Sequence, residues 1–534
     1  MNLFAKKDLS AVIREANDPQ LAEGQHGLKR SLGAFNLTML GIGAIIGAGI
    51  FSLTGAAAAN YAGPGIVYSF VIGGILCAFA GLCYAELASM IPVAGSAYAY
   101  SYTTMGELVA WIIGWDLVLE YAFGAVVVSI AWSGYLVQLF DSLTHVFPGA
   151  GGDAAASVFH LSDGVLMFTK GPFEDVTLST GETVRGLWNI PATVVSAVCA
   201  SILFRGITES AWVNNVIVVV KVLIVCVFIL LGIGLVLPEN LFVNEHASGL
   251  MALVPEQIMV EGEPRYGWFN GGVLTGAGVV FFAYIGFDAV STTAQEAKNP
   301  QRDLPIGILG SLVICTILYI LVALTLTGVV HYSQLGVPAP IAVGINRIVE
   351  LRGWEPGAAA TFTFFIKLGA LSGLTSVILV MMLGQTRIFY AMAKDGLLPW
   401  FDKTHPTFKS PHIATVVTGV FVAIAGGSMP MHLVGELVSI GTLLAFVLVC
   451  LGVPILRRTN PGQARPFKVP APWVIGILGA LACVYVMSGL PTDTWLRLLV
   501  WLVIGFAIYF GYGRHHSVLQ HGARPAAPAA PKAD

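Results

Sequence analysis

The chain has 534 residues, of which 56% are hydrophobic and only 11% are charged. Soluble domains carry about 25% charged residues, so this composition excludes an ordinary soluble enzyme, a disordered chain and a secreted disulfide scaffold. The net charge of −3 gives no basis for binding nucleic acid. The composition therefore predicts an integral membrane protein.

The apolar residues fall into stretches that are long enough to cross a bilayer, which takes roughly 20 helical residues. We predict an all-α membrane protein with twelve spans, at 34–58, 66–90, 108–140, 189–205, 211–237, 271–295, 306–331, 359–390, 413–429, 434–456, 472–490 and 494–512. Residues 1–33 are expected to form a tail, because they lack the apolar core of a signal peptide. The Ala/Pro-rich residues 514–534 are expected to be a disordered tail.

Lysines and arginines are unevenly distributed between alternate connections. With the N-terminus placed in the cytoplasm, 19 of the 27 lie in cytoplasmic segments and five in outer loops. Cytoplasmic loops of membrane proteins carry such an excess. We therefore expect a multi-pass protein of the inner (plasma) membrane with both termini in the cytoplasm.

Two spans are rich in glycine at mid-membrane depth. The first has four glycines between residues 41 and 49, and the sixth has two at 276–278 before an aromatic run that ends in Asp288. Each glycine weakens a helix by about 1 kcal/mol relative to alanine, so both helices are expected to be interrupted. Interrupted helices at the start of two five-helix halves predict inverted repeats, 34–237 and 271–456, followed by two further helices at 472–512. The alternative is that these glycines only allow close helix packing.

An interrupted helix exposes backbone groups, which a membrane protein tolerates only where they line a cavity or meet a ligand. Amide groups at the start of the second half-helix suit a carboxylate, and the freed carbonyls suit an ammonium group. This combination predicts a site for an α-amino acid. The candidate carboxylate site is Gly47, Ala48 and Gly49. The candidates around the amine and the side-chain pocket are Ile42, Gly43, Ile45, Phe281, Ala283 and Tyr284. For the aromatic residues, a role in helix packing is equally open.

Four stretches of this sequence resemble a known superfamily of transporters. They are GIGAIIGAGIF at 41–51, YAELASMIPVAGSAYAYSY at 84–102, FFAYIGFDAVSTTAQEAKNPQRDLPIGI at 281–308 and GQTRIFYAMAKDGLLP at 384–399. They resemble the amino acid–polyamine–organocation (APC) superfamily, and within it the cationic amino acid transporter family and its bacterial members. The resemblance implies the five-plus-five inverted-repeat fold of the leucine-transporter kind with two extra helices. It also implies substrate contacts from spans one, three, six, eight and ten.

A lysine is predicted at membrane depth, where a charge costs about 2.5–3.5 kcal/mol. Lys221 lies about ten residues into span five, roughly 15 Å deep at 1.5 Å per residue, and burial makes it a candidate proton acceptor. The resemblance places its ammonium group where sodium-coupled relatives hold sodium, with hydroxyls around Ser372, Thr375 and Ser376 as neighbours. The alternative is that Lys221 ties span five to a carbonyl without ever titrating.

Acids are also predicted inside the membrane. Glu120 in span three and Asp288 in span six match acids that the resembled family carries at these places. Glu120 is expected to line the substrate path, to hold a proton or to pair with a buried base. Asp288 is expected to take part in cation recognition or gating, or to cap the broken helix. Asp116, one turn before Glu120, is expected to be structural, and Lys367 to reach toward the headgroups outside the site.

These features together predict a secondary transporter. We expect proton-coupled symport of cationic or small neutral L-amino acids by alternating access, without a metal or cofactor. The alternatives are a polyamine or other organocation transporter on the same fold, and an amino acid sensor that does not transport. A small single-span membrane partner is conceivable. The sequence lacks a Ser–His–Asp set, a metal cluster and a nucleotide-binding loop at membrane depth, so an enzyme or an ATP-driven pump is not expected. The role of the outer segment 141–188 stays open.

Overall fold

The computed structural model describes residues 2–10, 12, 32–91, 95–146, 163–178, 181–205, 211–260, 263–269, 271–408 and 410–521. Most of these residues are helical. The α-helices are α1 (Ala34–Ile45), α2 (Thr54–Ala57), α3 (Ile66–Met90), α4 (Ser96–Thr104), α5 (Glu107–Val118), α6 (Gly124–Val146), α7 (Asp163–Leu166), α8 (Ile190–Arg205), α9 (Ala211–Gly232), α10 (Pro238–Leu241), α11 (Val273–Val280), α12 (Ala289–Thr292), α13 (Pro300–Val329), α14 (Pro340–Leu351), α15 (Pro356–Lys394), α16 (His412–Ser428), α17 (Met431–Thr459), α18 (Pro472–Ser488), α19 (Thr492–Ile508), α20 (Arg514–His516) and α21 (Val518–His521).

Shorter turns of tighter or wider helix extend several of these elements. The π-helical turns are Gly49–Leu53, Ala58–Ala62, Leu119–Phe123 and Tyr509–Gly513. The 3₁₀ turns are Gly63–Gly65, Ile233–Leu235, Gly249–Leu253, Phe281–Tyr284, Ala294–Glu296 and Tyr332–Gln334. Such irregular turns occur often at functional sites, and two of them interrupt or extend the helices that carry the candidate residues.

The helices confirm the prediction of a membrane protein that is mostly helical. Eight helical runs in the described part of the chain are long and apolar enough to cross a membrane, and the first of them extends over Ala34–Met90. Three further apolar helices, α8, α16 and α18, are shorter than these runs. Each stretch that the sequence predicts as a span contains helix among its described residues, and two of these stretches are interrupted.

Two small hairpins interrupt the helical pattern. Strands β1 (Asp175–Thr177) and β2 (Thr183–Arg185) pair antiparallel, with Val176 opposite Val184. Strands β3 (Gln257–Val260) and β4 (Glu263–Tyr266) also pair antiparallel. Between α6 and α8 the structure describes residues 163–178 and 181–189, which include α7 and the first hairpin (147–162 and 179–180 lie outside the described residues).

The connections alternate between two faces of the molecule. The tail face is the face that carries residues 2–10, the 96–107 connection, Asp395 and residues 514–521. The hairpin face is the opposite one, which carries the two β-hairpins. On the tail face Glu86 of α3 accepts two hydrogen bonds from Arg457 of α17, at 2.9 and 2.6 Å. On the hairpin face the Arg265 guanidinium lies 4.4 Å from the centre of the Tyr61 ring.

The long helices pack around the two interrupted ones. The 39-residue α15 lies along α6, and α13 packs against both α1 and α3. The interrupted helices are also joined directly on the tail face, where the Leu32 amide donates to the Glu296 carbonyl at 3.0 Å and the Lys298 amide to the Leu32 carbonyl at 2.8 Å. These contacts place the two interruptions side by side in the centre of the helical assembly.

The C-terminal tail is more ordered than its composition predicts. Residues 514–521 form α20 and α21, so the disorder predicted for 514–534 is wrong for this part. The segment packs on the tail face, where the amide of Val518 donates to the carbonyl of Asp395 at 3.0 Å. Most of the predicted N-terminal tail, and residues 522–534, lie outside the described residues.

Candidate substrate site

The first candidate element is the interruption after α1. The helix ends at Ile45, Ile46 is extended (φ −73°, ψ 94°), and a wide turn begins at Gly49. In the described part of the chain no backbone acceptor lies in hydrogen-bonding geometry with the N–H groups of Gly47, Ala48 and Gly49. These donors are buried and point from the start of a helical segment, where the backbone favours a negative charge.

The second candidate element is the interruption after α11. A tight turn, Phe281–Tyr284, follows the helix, and Ile285 is extended (φ −60°, ψ 135°). Gly286 has φ +117°, which side chains other than glycine rarely adopt. The helix resumes only at Ala289. Both predicted interruptions are therefore present.

The two interruptions lie against each other. A Cβ added to Gly49 would overlap the Cα of Ala283. A Cβ added to Gly286 would lie 2.9 Å from the backbone carbon of Ala44, closer than side chains approach. The glycines that weaken the helices thus also allow the two backbones to touch.

Tyr319 of α13 links the two interruptions, and the sequence did not identify it. Its fully buried hydroxyl lies 2.7 Å from the carbonyl oxygen of Ile45 and 2.8 Å from that of Ala283. A hydroxyl has a single proton, so it donates fully to one of these carbonyls at a time. The other carbonyl keeps the capacity to accept from an ammonium group. A tyrosine inside an otherwise apolar span was the available signal, because a buried hydroxyl needs a partner.

Lys221 reaches the interruption in α1 from α9. It is completely buried, and its Nζ donates to the carbonyl of Gly43 at 2.8 Å and to that of Ile46 at 3.3 Å. Its aliphatic stem packs against Gly373 of α15. The lysine therefore lies between the first, fifth and eighth predicted spans.

The hydroxyls that the sequence suggested as neighbours of Lys221 have acceptors of their own. Ser372 donates to the Gly369 carbonyl at 2.8 Å, Thr375 to the Leu371 carbonyl at 2.9 Å and Ser376 to the Gly373 carbonyl at 3.0 Å. The three acceptors belong to α15, the helix that carries the three hydroxyls, so each of these hydrogen bonds lies within one helix.

Glu120 and Asp288 meet on the tail-face side of the interruptions. Both are completely buried and lie beside each other, with Thr442 of α17 next to Glu120. Asp288 Oδ2 accepts a 2.8 Å hydrogen bond from the hydroxyl of Tyr121. No donor among the described residues reaches either oxygen of Glu120 or the second oxygen of Asp288. A hydrogen bond between two carboxyl groups needs a proton on one of them, so the pair is suited to hold a proton or to receive a cation.

Other candidate residues lie elsewhere or have partners already. Tyr284, the last residue of the tight turn, donates from its hydroxyl to the Phe70 carbonyl of α3 at 2.6 Å, and its ring fills the space left by Gly73. These contacts are of the helix-packing kind that the sequence left open for the aromatic residues, because a buried phenol needs a hydrogen-bond partner. The Ile42 carbonyl accepts from the Ile46 amide at 2.9 Å. The ring of Phe281 packs edge-on against Phe446.

Three further buried polar residues complete the description. Lys367 is buried and donates to the Gln138 carbonyl at 3.2 Å, so its predicted reach toward the headgroups is wrong. Gln385 of α15 and Asp116 of α5 are completely buried, and neither finds a hydrogen-bond partner for its side-chain oxygens among the described residues. The sequence placed Gln385 in a family-like stretch without assigning it a role.

Comparison with known proteins identifies the family. The sequence model described as amino acid permease matches residues 32–509. The chain belongs to the amino acid permease family. The permease is 41% identical over 520 residues to the branched-chain amino acid permease BcaP of Bacillus subtilis (strain 168), a match that covers 97% of this chain and 99% of the relative. The predicted membership of the APC superfamily is therefore confirmed.

Two further relatives carry different names. The methylthioribose transporter of Bacillus subtilis (strain 168) is 38% identical, with 97% of the permease and 99% of the relative covered. The vacuolar cationic amino acid transporter 4 of Arabidopsis thaliana is 33% identical, with 86% and 68% covered. These relatives are named as permeases and transporters, in agreement with the expectation that the permease is not an enzyme.

Proposed function

We propose that the permease is a proton-coupled symporter of L-amino acids that works by alternating access. Two groups of backbone atoms in the interruptions carry this proposal. No acceptor among the described residues reaches the amides at 47–49, and the carbonyls of Ile45 and Ala283 share the single hydroxyl of Tyr319. Irregular backbone at membrane depth is tolerated where a ligand or a cavity satisfies it. An α-amino acid has the matching carboxylate and ammonium groups.

In this proposal the Gly47, Ala48 and Gly49 amides bind the substrate carboxylate. The substrate ammonium binds the carbonyls of Ile45 and Ala283 together with the backbone around Phe281 and Ile42. The hydroxyl of Tyr319 holds the two carbonyls next to each other and shifts to one of them when the ammonium arrives.

The side-chain end of the pocket is proposed to lie at Glu120 and Asp288. A carboxyl pair with vacant acceptor oxygens favours a substrate that has a cationic side chain. With a small neutral substrate, Glu120 and Asp288 would instead share one proton between their carboxyl groups. We therefore propose cationic or small neutral amino acids as substrates. The names of the relatives add branched-chain amino acids and methylthioribose as competitors to be tested. A polyamine lacks a carboxylate and would leave the amides at 47–49 unused.

Lys221 is proposed to couple the proton to the substrate. As an ammonium group it donates to the carbonyls of Gly43 and Ile46 and so holds the interruption of α1 against α9. A neutral amine donates more weakly, since charge-assisted hydrogen bonds are about twice as strong as neutral ones. Gain and loss of this proton would therefore shift the balance between two packings of α1.

The membrane orientation follows from charge. Among the described residues, most lysines and arginines lie in segments of the tail face, and cytoplasmic segments carry such an excess. We propose that the tail face is cytoplasmic, that the protein resides in the inner (plasma) membrane and that all twelve predicted spans cross it as two inverted five-helix repeats and two further helices.

The coupling proposal is tested by replacing Lys221 with methionine. Lys221→Met in proteoliposomes is expected to abolish the dependence of uptake on an inward proton gradient. Lys367→Met is the matched control, because Lys367 is also a buried lysine that donates to a carbonyl, but it lies on α15 away from the interruption. If Lys221→Met retains full proton dependence, Lys221 is not the coupling residue.

The substrate proposal is tested by competition and counterflow at two pH values. Unlabelled arginine, lysine, alanine, leucine, putrescine and methylthioribose compete with a labelled amino acid. Inhibition by amino acids but not by putrescine or methylthioribose supports the backbone site. Binding without counterflow would instead indicate a sensor.

A further inference from the structure

The helix α5 and the turn that follows it carry three acids at different depths. Glu107 is the first residue of α5 on the tail face, and Glu120 lies in the turn Leu119–Phe123. Asp116 lies between them, about 14 Å along the helix from Glu107 and about 6 Å before Glu120 at 1.5 Å per residue. All three side chains are completely buried. Asp116 is therefore the acid between the tail face and the Glu120–Asp288 pair.

Glu107 has the surroundings of a structural acid. It accepts hydrogen bonds from the Tyr102 hydroxyl at 2.8 Å, the Tyr509 hydroxyl at 2.9 Å and the Gln520 amide at 2.8 Å. The hydroxyl of Ser517 is a fourth donor. A carboxylate has about four acceptor positions, so these donors fill it and Glu107 needs no proton.

Asp116 has the opposite surroundings. In the described part of the chain no donor reaches either of its oxygens, and no charged side chain of that part acts on it. A carboxylate that is buried without partners costs many kcal/mol, so such a group takes up a proton instead. Asp116 is therefore a neutral carboxylic acid, with one oxygen that can donate a proton and one that can accept a proton.

The helices that pack against α5 are α4, α15, α17 and α19, and their charged groups have other partners. The ion pairs on these helices are Arg387 with Glu296 at 3.1 Å, Arg457 with Glu86 at 2.6 Å and Arg497 with Glu436 at 3.4 Å. Lys394 lies over the ring of Tyr390, and the hydroxyl of Tyr98 on α4 binds Asp395. The acid that remains within reach of Asp116 is Glu120 on its own helix.

Asp116 and Glu120 are neighbours across a change of helix type. Residues four apart lie on one face of a helix, with about 6 Å between their Cβ atoms. The amide of Leu119 donates to the carbonyl of Asp116, and the π-helical turn Leu119–Phe123 begins at the same residue. Such turns occur often at functional sites. The two acids are thus close enough for a proton to pass between them directly or through one water molecule.

Gln385 of α15 lies level with this turn. A Cβ on Gly384 would lie 2.9 Å from the ring of Tyr121, and a Cβ on Gly114 would lie 2.8 Å from Met392, so α15 runs antiparallel along α5. Neither the oxygen nor the nitrogen of the Gln385 amide has a partner among the described residues, and the side chain is completely buried. An amide donates to a carboxylate and accepts from a carboxyl group, so Gln385 suits a place where protonation changes.

We propose that Asp116 is the outlet through which a proton displaced from the Glu120–Asp288 pair reaches the tail face. A cationic substrate beside the pair favours its ionised form, so the shared proton leaves. That proton binds one oxygen of Asp116 while the other oxygen releases its own proton to water that enters from the tail face, and Asp116 stays neutral. The step rests on the proposed cationic substrates, and a neutral substrate does not trigger it.

The first test asks whether Asp116 carries a proton, and it needs no transport. The infrared spectrum of the purified chain is compared with that of Asp116→Asn at neutral pH. The difference is expected to contain the carbonyl band of one protonated carboxyl group. Glu107→Gln is the control, and it is expected to remove the bands of an ionised carboxylate instead. If Asp116→Asn loses no protonated carboxyl band, the proposal is overturned.

The second test compares two substrates in proteoliposomes that contain an internal pH indicator. The parent is expected to move about one more proton per molecule of lysine than per molecule of alanine, because only lysine displaces the shared proton. Asp116→Asn is expected to lower lysine uptake at least about tenfold, since a positioned acid contributes roughly 100-fold or more to a proton transfer. Its alanine uptake is expected to stay within about twofold of the parent. An equal loss with both substrates indicates a structural role and overturns the proposal, as does unchanged lysine uptake.

A third comparison sets size against charge at residue 116. Asp116→Asn keeps the size but has no proton to release, whereas Asp116→Glu is larger and keeps the carboxyl group. Asp116→Glu is expected to retain more lysine uptake than Asp116→Asn. The reverse order would show that residue 116 acts by packing. Glu107→Gln is expected to leave the ratio of lysine uptake to alanine uptake unchanged.

The same measurements distinguish failure of the outlet from failure of the proposed function. A parent that does not transport lysine overturns the cationic substrates and the outlet together. A parent that transports lysine, and does so equally well after Asp116→Asn, overturns the outlet alone. Lys221→Met is expected to lose proton dependence with both substrates, whereas Asp116→Asn is expected to lose it with lysine only.

Discussion

Two pairs of carboxylates are equally buried in this permease, but their surroundings are opposite. On the tail face, Glu107 has four donors, and Glu86 accepts two hydrogen bonds from Arg457 and one from the Val469 amide at 2.7 Å. In the middle of the molecule, Glu120 and Asp288 receive a single donor between them from the described residues. Burial alone therefore does not distinguish a structural acid from a functional one.

The difference lies in what completes the hydrogen bonding of each acid. A buried carboxylate without donors destabilises a fold, so the folded chain alone does not explain why Glu120 and Asp288 occur there. A proton, water or a cationic substrate would supply the missing partner, whereas Glu86 and Glu107 need nothing further. The same contrast holds for the backbone. No acceptor among the described residues reaches the amides at 47–49, whereas the amides of Glu107 and Leu108 at the start of α5 donate to the carbonyls of Ala5 and Leu3.

The largest expected effect concerns the contact between the two interruptions. Gly49→Ala places a Cβ onto Ala283 and is expected to reduce uptake by about 100-fold, because the backbones must move apart. Gly435→Ala is the control, since a Cβ there meets the side chain of Leu53 at an ordinary 3.6 Å. Measured uptake that is unaffected by Gly49→Ala would exclude the interruptions as the substrate site.

Matched glutamine substitutions distinguish Glu86, whose hydrogen bonds are filled, from Glu120, whose oxygens are left without donors by the described residues. Glu86→Gln breaks a filled ion pair and is expected to lower stability by about 2–3 kcal/mol. Glu120→Gln is expected to leave stability unchanged or higher while reducing uptake, because no donor is lost and a carboxylate in a low-dielectric place is removed. Apparent melting temperature in detergent and uptake in proteoliposomes measure the two effects. Equal destabilisation by both substitutions would contradict the comparison.

A smaller effect is expected at the hydroxyl between the interruptions. Tyr319→Phe removes the bond that holds the Ile45 and Ala283 carbonyls together and is expected to raise KM about tenfold, with little change in expression. Tyr284→Phe removes a buried hydroxyl that donates to α3 instead, and KM is expected to stay within about twofold. The prediction fails if the two variants have the same KM.

The smallest effect is expected on the hairpin face. Burial raises the pKa of Glu174, while the Gly171 amide and Lys170 act in the opposite direction. A carboxyl group whose pKa is raised by folding favours the folded state at low pH, and this contribution is lost as the pH rises through the folded-state pKa. Glu174→Gln is therefore expected to be more stable than the parent at neutral pH, by about 0.5 kcal/mol or less. The difference should vanish below about pH 4, and the exposed Glu245→Gln serves as the control in thermal unfolding.

The sequence by itself determined the class of the protein and the places where its helices are weak. Apolar stretches predict helices because a membrane leaves no other partner for the backbone. Clustered glycines predict the interruptions because each glycine destabilises the helical conformation relative to alanine. The sequence identified Lys221, Glu120 and Asp288 as candidates. A charge inside an apolar span is costly, so a charged residue found there is expected to have a function.

Only the tertiary structure decided which of these groups meet. Glu120 and Asp288 come together from separate helices, and Tyr319 joins the carbonyls of Ile45 and Ala283, which sequence spacing does not reveal. Tyr284 turns toward α3 because Gly73 leaves room for its ring and Phe70 offers a carbonyl. The order of residues 514–521 likewise depends on Glu107 and Asp395, which lie far away in the chain. Local sequence sets where a helix is weak, but the partner of a buried polar group is chosen by whichever helix packs beside it.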